Sequence, residues 1–290
     1  MDATVSRAND DNSIQDEIAG LEARLAAAKI RLEQSQSHST HTTTPTPSAI
    51  PPSLGSPTHF LLLLSDSALP LGAFAFSSGL ESFLAHNARG TTFSAFLPSS
   101  LSSFASTTLP FVLAAHREPS SVAELDDQLD AAIVCTVGRR ASVAQGRALL
   151  SVWERSFRPS VTHHTSGGAE ILRSYSALLR DSKADPPLVS AHLAPLFGVV
   201  CALLGLDLRQ TAYVFMLSHV KALISAAVRA SMFGPFQAQK MLAAGNVQRM
   251  IDVVIDREWS TPVEEAGQSV PVMDLWIGRH ELLYSRIFNS

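Results

Sequence analysis

From Ala191 to Leu242 the chain reads AHLAPLFGVVCALLGLDLRQTAYVFMLSHVKALISAAVRASMFGPFQAQKML, its most hydrophobic stretch, with no alternating strand pattern of useful length. A chain that must bury this much apolar surface along helical faces is confined to an all-α fold built as a single helical bundle. Gly205 stops one helix, Asp207 is placed to N-cap the next, and Gly234 followed by Pro235 repeats the stop and start, so three helices are implied. The middle one, Leu208 to Met232, is apolar on most faces and is expected to be the central helix, wrapped by the others.

The pattern upstream is helical as well. Phe93, Phe96, Leu97, Leu101, Phe104, Leu109, Val112 and Leu113 recur at three and four residue steps, and Pro98 and Pro110 are expected to kink or restart that helix. Val122, Leu125, Leu129, Ala132 and Ile133 form a stripe whose opposite face carries Glu124, Asp127 and Asp130. In the helix from Ala141 to Phe157, the small residues Ala141, Ser142, Ala144 and Gly146 would admit a neighbouring backbone at close range. His163 to Gly168 reads as a loop, a helix follows from Ala169 to about Arg180, and Asp185 to Pro187 is a second loop. Ile251 to Ile255 could end a helix, and the last residues, DLWIGRHELLYSRIFNS, read as an extension whose apolar side chains have no obvious place to go.

The first 57 residues differ in character. Ile14, Ile18, Leu21, Leu25, Ala28 and Leu32 set out about three heptads within a short helix over 13–34, compatible with a coiled coil or with a solvated single helix. Residues 35–57 are almost all Ser, Thr, His and Pro, a composition that cannot bury enough apolar surface to offset ordering, and are read as a disordered tether. Residues 58–290 form the helical domain.

Composition narrows the function. With 22 basic and 26 acidic residues the net charge is −4, too even a mixture for a nucleic-acid footprint. Cys135 and Cys201 lie in apolar stretches without a CxxC pair, so both read as buried packing residues. No apolar leader and no run of about 18 apolar residues is found, so a cytoplasmic chain without a membrane span is expected.

The tests for chemistry come back empty. There is no GxSxG elbow, no GxxxxGK[ST] and no GxGxxG, hence no hydrolase nucleophile and no nucleotide engine. The segment SGLE from Ser78 to Glu81 fits a capping box, in which the Ser78 hydroxyl accepts from the Glu81 amide while the Glu81 carboxylate accepts from the Ser78 amide. No two histidines show HxxxH or CxxH spacing; His192 and His219, on apolar segments, read as satisfied core residues, while His38 and His41 sit in the tether. Arg229, on an otherwise apolar helix, needs a carboxylate, helix-end carbonyls or a groove, and is read first as a buried structural ion pair, then as a partner contact.

One stretch carries a resemblance. SDSALPLGAFAFSSGLES, residues 65–82, with Leu69, Pro70, Gly72, Phe74 and the SSGLES ending, resembles the signature of the urease accessory protein UreF family. GRRASVAQGRALL, AHLAPLFGVVCALLGL, SAAVRASMFGPFQAQKML and the terminal YSRIF resemble further family stretches in order, covering residue 58 to the end. The resemblance implies an all-helical, non-catalytic protein that holds no cofactor itself, helps insert nickel into urease, tends to dimerise, binds the accessory protein UreD (UreH in some organisms) on apo-urease, and recruits the GTPase UreG. It also implies that the tail and the Pro-Leu-Gly loop order against UreD, which marks Phe74, Phe76, Tyr284, Arg286 and Phe288 as partner contacts. Pro70, Gly72, Ser78, Glu81 and Arg229 then have structural roles, with Pro70 and Gly72 punctuating the chain so that a loop bearing Phe74 and Phe76 leaves the bundle. The chain departs from the bacterial pattern in having Phe74 where Tyr is common and Pro235 after Gly234. Two alternatives stay open: a metallochaperone binding nickel through His163, His164 and the tether histidines, and a GTPase-activating factor offering Arg286 or Arg229 as an arginine finger.

Overall fold

The computed structural model describes residues 20–22, 24, 25, 29, 56–87, 92–161, 166–181 and 187–289, the side chains of 56, 166 and 167 apart. The chain separates into two units, residues 1–53 and 54–290. In the first, the described residues are helical and Leu21 and Leu25 are exposed; most of the expected heptad and residues 35–55 of the Ser/Thr/Pro-rich tether lie outside the described residues, whereas Ser56 and Pro57, read as its end, are already helical. The second unit contains, in order, α1 (Ser56–Ser65), α2 (Leu80–His86), α3 (Phe93–Arg117), α4 (Val122–Ala132), α5 (Thr136–Val152), α6 (Ser166–Asp181), α7 (Leu193–Leu203), α8 (Leu208–Arg229), α9 (Pro235–Leu242), α10 (Gly245–Glu258) and α11 (Val272–Arg279). No strand occurs among the described residues. The all-α expectation holds.

The hub is α3 and not α8. It packs against α4, α7, α8, α10 and α11, most extensively against α7, of whose eleven residues nine are buried. By contrast α8 leaves Arg209, Gln210, Ser225 and Arg229 exposed. It is long and apolar enough to cross a membrane, but most of its apolar span is buried within this fold. The many serines of α3 made it look less like a core helix. Ser100, Ser103 and Ser106 are nonetheless buried, because a hydroxyl occupies little volume and can bond within the helix, as Ser106 Oγ does to Ser103 O at 3.2 Å.

Both prolines sit inside α3 without restarting it. Pro110 has no N–H to give the Ser106 carbonyl. That carbonyl instead accepts from the backbone N–H of Gly267 at 3.1 Å, and the Ser106 hydroxyl accepts from Ser269 N–H at 3.2 Å. A loop more than 150 residues downstream thus completes the helix at its defect.

Other expectations hold in detail. Gly205 takes φ 78° after α7, and Asp207 caps α8 in a reciprocal capping box with Gln210. The small-residue face of α5 does admit a backbone: a Cβ on Gly146 would lie 2.1 Å from the Ala191 carbonyl oxygen. The HHTSGG segment differs in part, since α6 already begins at Ser166.

The entry to α7 rests on a buried carboxylate that lies within the apolar stripe of α4. Asp126, fully buried, accepts from the amides of Ser190 (2.6 Å), Ala191 (3.1 Å) and His192 (2.6 Å). These donors lead into the first turn of α7, which has no helical partner for its own N–H groups and favours negative charge. Burial beside Asp126 pushes the Tyr175 hydroxyl pKa well above its ordinary value. His192 is the satisfied core histidine expected, bonded to Ser142 Oγ at 3.0 Å and Asp130 Oδ1 at 2.7 Å. Asp130 is therefore half-buried rather than on a free polar face; burial works against its charge, but hydrogen bonds from Arg139 and His192 hold its carboxyl below the usual range.

Candidate functional site

The 65–82 segment and the C-terminal tail meet in the fold. After α1, the Leu71 amide bonds the Leu69 carbonyl at 2.7 Å around Pro70, a tight turn that suits proline's fixed φ and missing donor. Gly72 follows at φ 71°, where a side chain would be strained, and Ala73–Ala75 form a short 3₁₀ turn. The turn directs its two rings differently. Phe74 is 64% exposed, whereas Phe76 is half-buried and faces inward. The expected exit of Phe74 from the bundle is found; Phe76 lines a cavity.

The expected capping box is absent. Ser78 has φ 50° and Gly79 occupies the N-cap of α2, while the Glu81 amide makes only a long 3.4 Å bond to Ser77 Oγ. The Glu81 carboxylate turns to the far end of the chain. Its Oε1 accepts from Ile287 N–H at 2.6 Å, and its Oε2 pairs with His280 Nε2 at 2.9 Å and accepts from Phe288 N–H at 3.2 Å. Asn289 N–H donates to the Ala75 carbonyl at 2.8 Å.

Arg229 closes the arrangement from α8. Among the described residues no carboxylate pairs with it, so the expected buried ion pair is corrected: its guanidinium is exposed, donates to the Phe74 carbonyl, and lies 4.2 Å from the centre of the Phe288 ring. Partial burial lowers its pKa. Phe288, expected as an outward contact, is 5% exposed and anchors the tail on its own chain. Tyr284 is fully exposed and Ile287 largely so. Arg286 pairs with Glu281 at 3.1 Å, and Glu281 also pairs with Arg140, so hydrogen bonds from Arg140 and then Arg286 hold the Glu281 carboxyl below its ordinary range. The extension that offered no home for its apolar residues finds one: Met273 is buried and Trp276 packs edge-on against Phe83 at 5.7 Å.

A cavity of about 320 Å³ lies beneath the loop, lined among others by Phe76, Ser100, Phe104, Phe215 and His219. His219 bonds Ser100 Oγ at 3.1 Å through Nε2 and stacks on Phe104 at 3.9 Å; burial pushes its pKa down to about 3. The unfolded chain, with histidine near 6.5, takes up that proton first, so the contribution to stability is complete above pH 6.5 and is lost as pH falls towards 3. His219→Gln is therefore expected to flatten the fall of melting temperature between pH 6.5 and 4.5, where one such group contributes up to about 1.4 kcal/mol per pH unit.

For metal, the described residues contain no group of three His, Cys, Asp or Glu placed to hold an ion. His38, His41, His163 and His164 lie outside the described residues. What the 65–82 segment and the tail offer together is a surface with an aromatic ring, a phenol and an aliphatic side chain exposed, features suited to gripping a protein.

A profile of the UreF family matches residues 88–246. A Schizosaccharomyces pombe protein described as an uncharacterized urease accessory protein UreF-like is 39% identical over 235 residues, 80% of this chain and 97% of its own length. The chain belongs to the UreF family. Urease accessory protein F of Oryza sativa subsp. indica is 33% identical over 233 residues, covering 78% of this chain and 82% of its own. UreF of Paenarthrobacter aurescens is 32% identical over 244 residues, 81% and 100% of the two chains. As a UreF-family member the chain is a urease accessory protein.

Proposed function

We propose that this UreF-family chain serves urease maturation as a non-catalytic adaptor, binding the UreD/UreH accessory protein on apo-urease and recruiting the nickel-carrying GTPase UreG. The observation that carries this reading is that the signature loop and the tail, far apart in sequence, are fastened into one surface that exposes Phe74, Tyr284 and Ile287. Aromatic anchors of this kind supply much of the binding energy at protein interfaces. Arg286 stands beside this surface, while Arg229 is already engaged with Phe74 and Phe288. In this reading the protein works in the cytoplasm as a dimer, and nickel is cargo of the complex.

The test is co-purification with a UreD/UreH relative and UreG. Because both side chains are exposed, Phe74→Ala with Tyr284→Ala should leave the fold and its melting temperature unchanged but weaken assembly about thirtyfold or more. Undiminished assembly would sink the assignment of this surface.

A further inference from the structure

Glu81 occupies a position that a merely local role does not explain. Its side chain is only 11% exposed, and its two oxygens face three donors, all from residues 280–288. The amides of Ile287 and Phe288 belong to no helix or strand, so Glu81 serves them in place of a backbone carbonyl. The fit is incomplete on one side. His280 is fully buried and uses Nε2 towards Glu81, yet among the described residues its Nδ1 has no hydrogen-bond partner. A buried polar atom left unpaired offsets part of what the carboxylate contributes, which leaves the docked tail closer in free energy to a released one. The outer fastenings, Asn289 to Ala75 and Phe288 under Arg229, engage the same short loop that carries Phe74.

From this we infer that Glu81 is a latch: it holds Ile287 and Phe288, and with them the tail, on the chain's own signature loop, and the partner recognises the docked tail, with Tyr284, Ile287 and Phe74 exposed, rather than a free one. The inference rests on the partner-docking reading above and adds the residue that controls it. Glu81 touches the partner through no atom of its own. It acts by holding the tail.

Glu81→Gln is nearly the same size, but it replaces one acceptor oxygen with an NH₂ group that cannot accept from an amide. In the full chain, hydrogen–deuterium exchange of the Ile287 and Phe288 amides should quicken at least tenfold while exchange in α3, α7 and α8 stays unchanged; the dissociation constant for the UreD/UreH relative should rise about tenfold or more. A disulfide formed between Ala75→Cys and Asn289→Cys in the Glu81→Gln background would re-dock the tail, and affinity should return. Unchanged tail exchange in Glu81→Gln overturns the latch. Faster exchange with equal or tighter partner binding, or no recovery on cross-linking, overturns recognition of the docked form. Failure of the surface itself is separable, because it would show as intact assembly in the Phe74→Ala/Tyr284→Ala chain whatever the exchange rates.

Discussion

Replacing Asp126 with alanine will lower the melting temperature by roughly 6–20 °C, the consequence of losing about 3–5 kcal/mol when one partner of a buried charged network is removed. Three amides, those of Ser190, Ala191 and His192, lose their acceptor together, and none can turn to water because the site is closed. The residue that follows them is the first of α7, whose side chains fill the space against α3. The damage therefore reaches the hub of the domain. Asp127→Ala, one position along and exposed, should change stability by no more than about 0.5 kcal/mol. Thermal unfolding followed by far-ultraviolet circular dichroism compares the two, and equal melting temperatures would refute the role given to Asp126.

Asp126 was within reach of the sequence. Four residues after Val122 and three before Leu129, it falls on the same helical face as both, and an acidic residue in such a stripe signals a buried acceptor waiting for amides. Its donors, however, come from 64 to 66 residues away, and no local pattern names them. Glu81 failed for the same reason. SGLE satisfies the capping-box template completely, but Ser78 at φ 50° cannot take the extended backbone an N-cap uses, and the carboxylate found donors about 200 residues downstream. Periodicity, by contrast, located most helices, because burying one face is a property each segment carries by itself. The rank of α3 was illegible since its prolines and serines lower its apparent worth, and the compensation at Ser106 is supplied by Gly267. Phe74 and Phe76 are two residues apart, and only the fold of the loop separates the outward ring from the inward one.

Gly146→Val is the second large effect. An added Cβ would stand 2.1 Å from the Ala191 oxygen and 2.6 Å from the His192 carbonyl carbon, both backbone atoms that cannot swing aside. Either α5 moves away from the entry to α7 or that entry deforms, breaking the His192 bond to Ser142. A loss of ~3 kcal/mol or more is expected, since overpacking against fixed backbone exceeds the usual cost of an extra methylene. Ala144→Val on the same helix provides the comparison. Denaturant midpoints that agree between the two variants would show that the close approach at Gly146 is not needed.

The pairing of Asn289 with Ala75 has a bearing on how the polypeptide is made. At ribosomal speeds of about 5–20 residues per second, residue 289 is added roughly 10–40 s after residue 75. Throughout that interval the loop that will carry Phe74 lacks its cover, and its apolar neighbours are open to mispairing with other nascent chains. A ribosome that stalls between these two positions would hold the product in this vulnerable form, so demand for holding chaperones should persist until residues 287–289 have emerged.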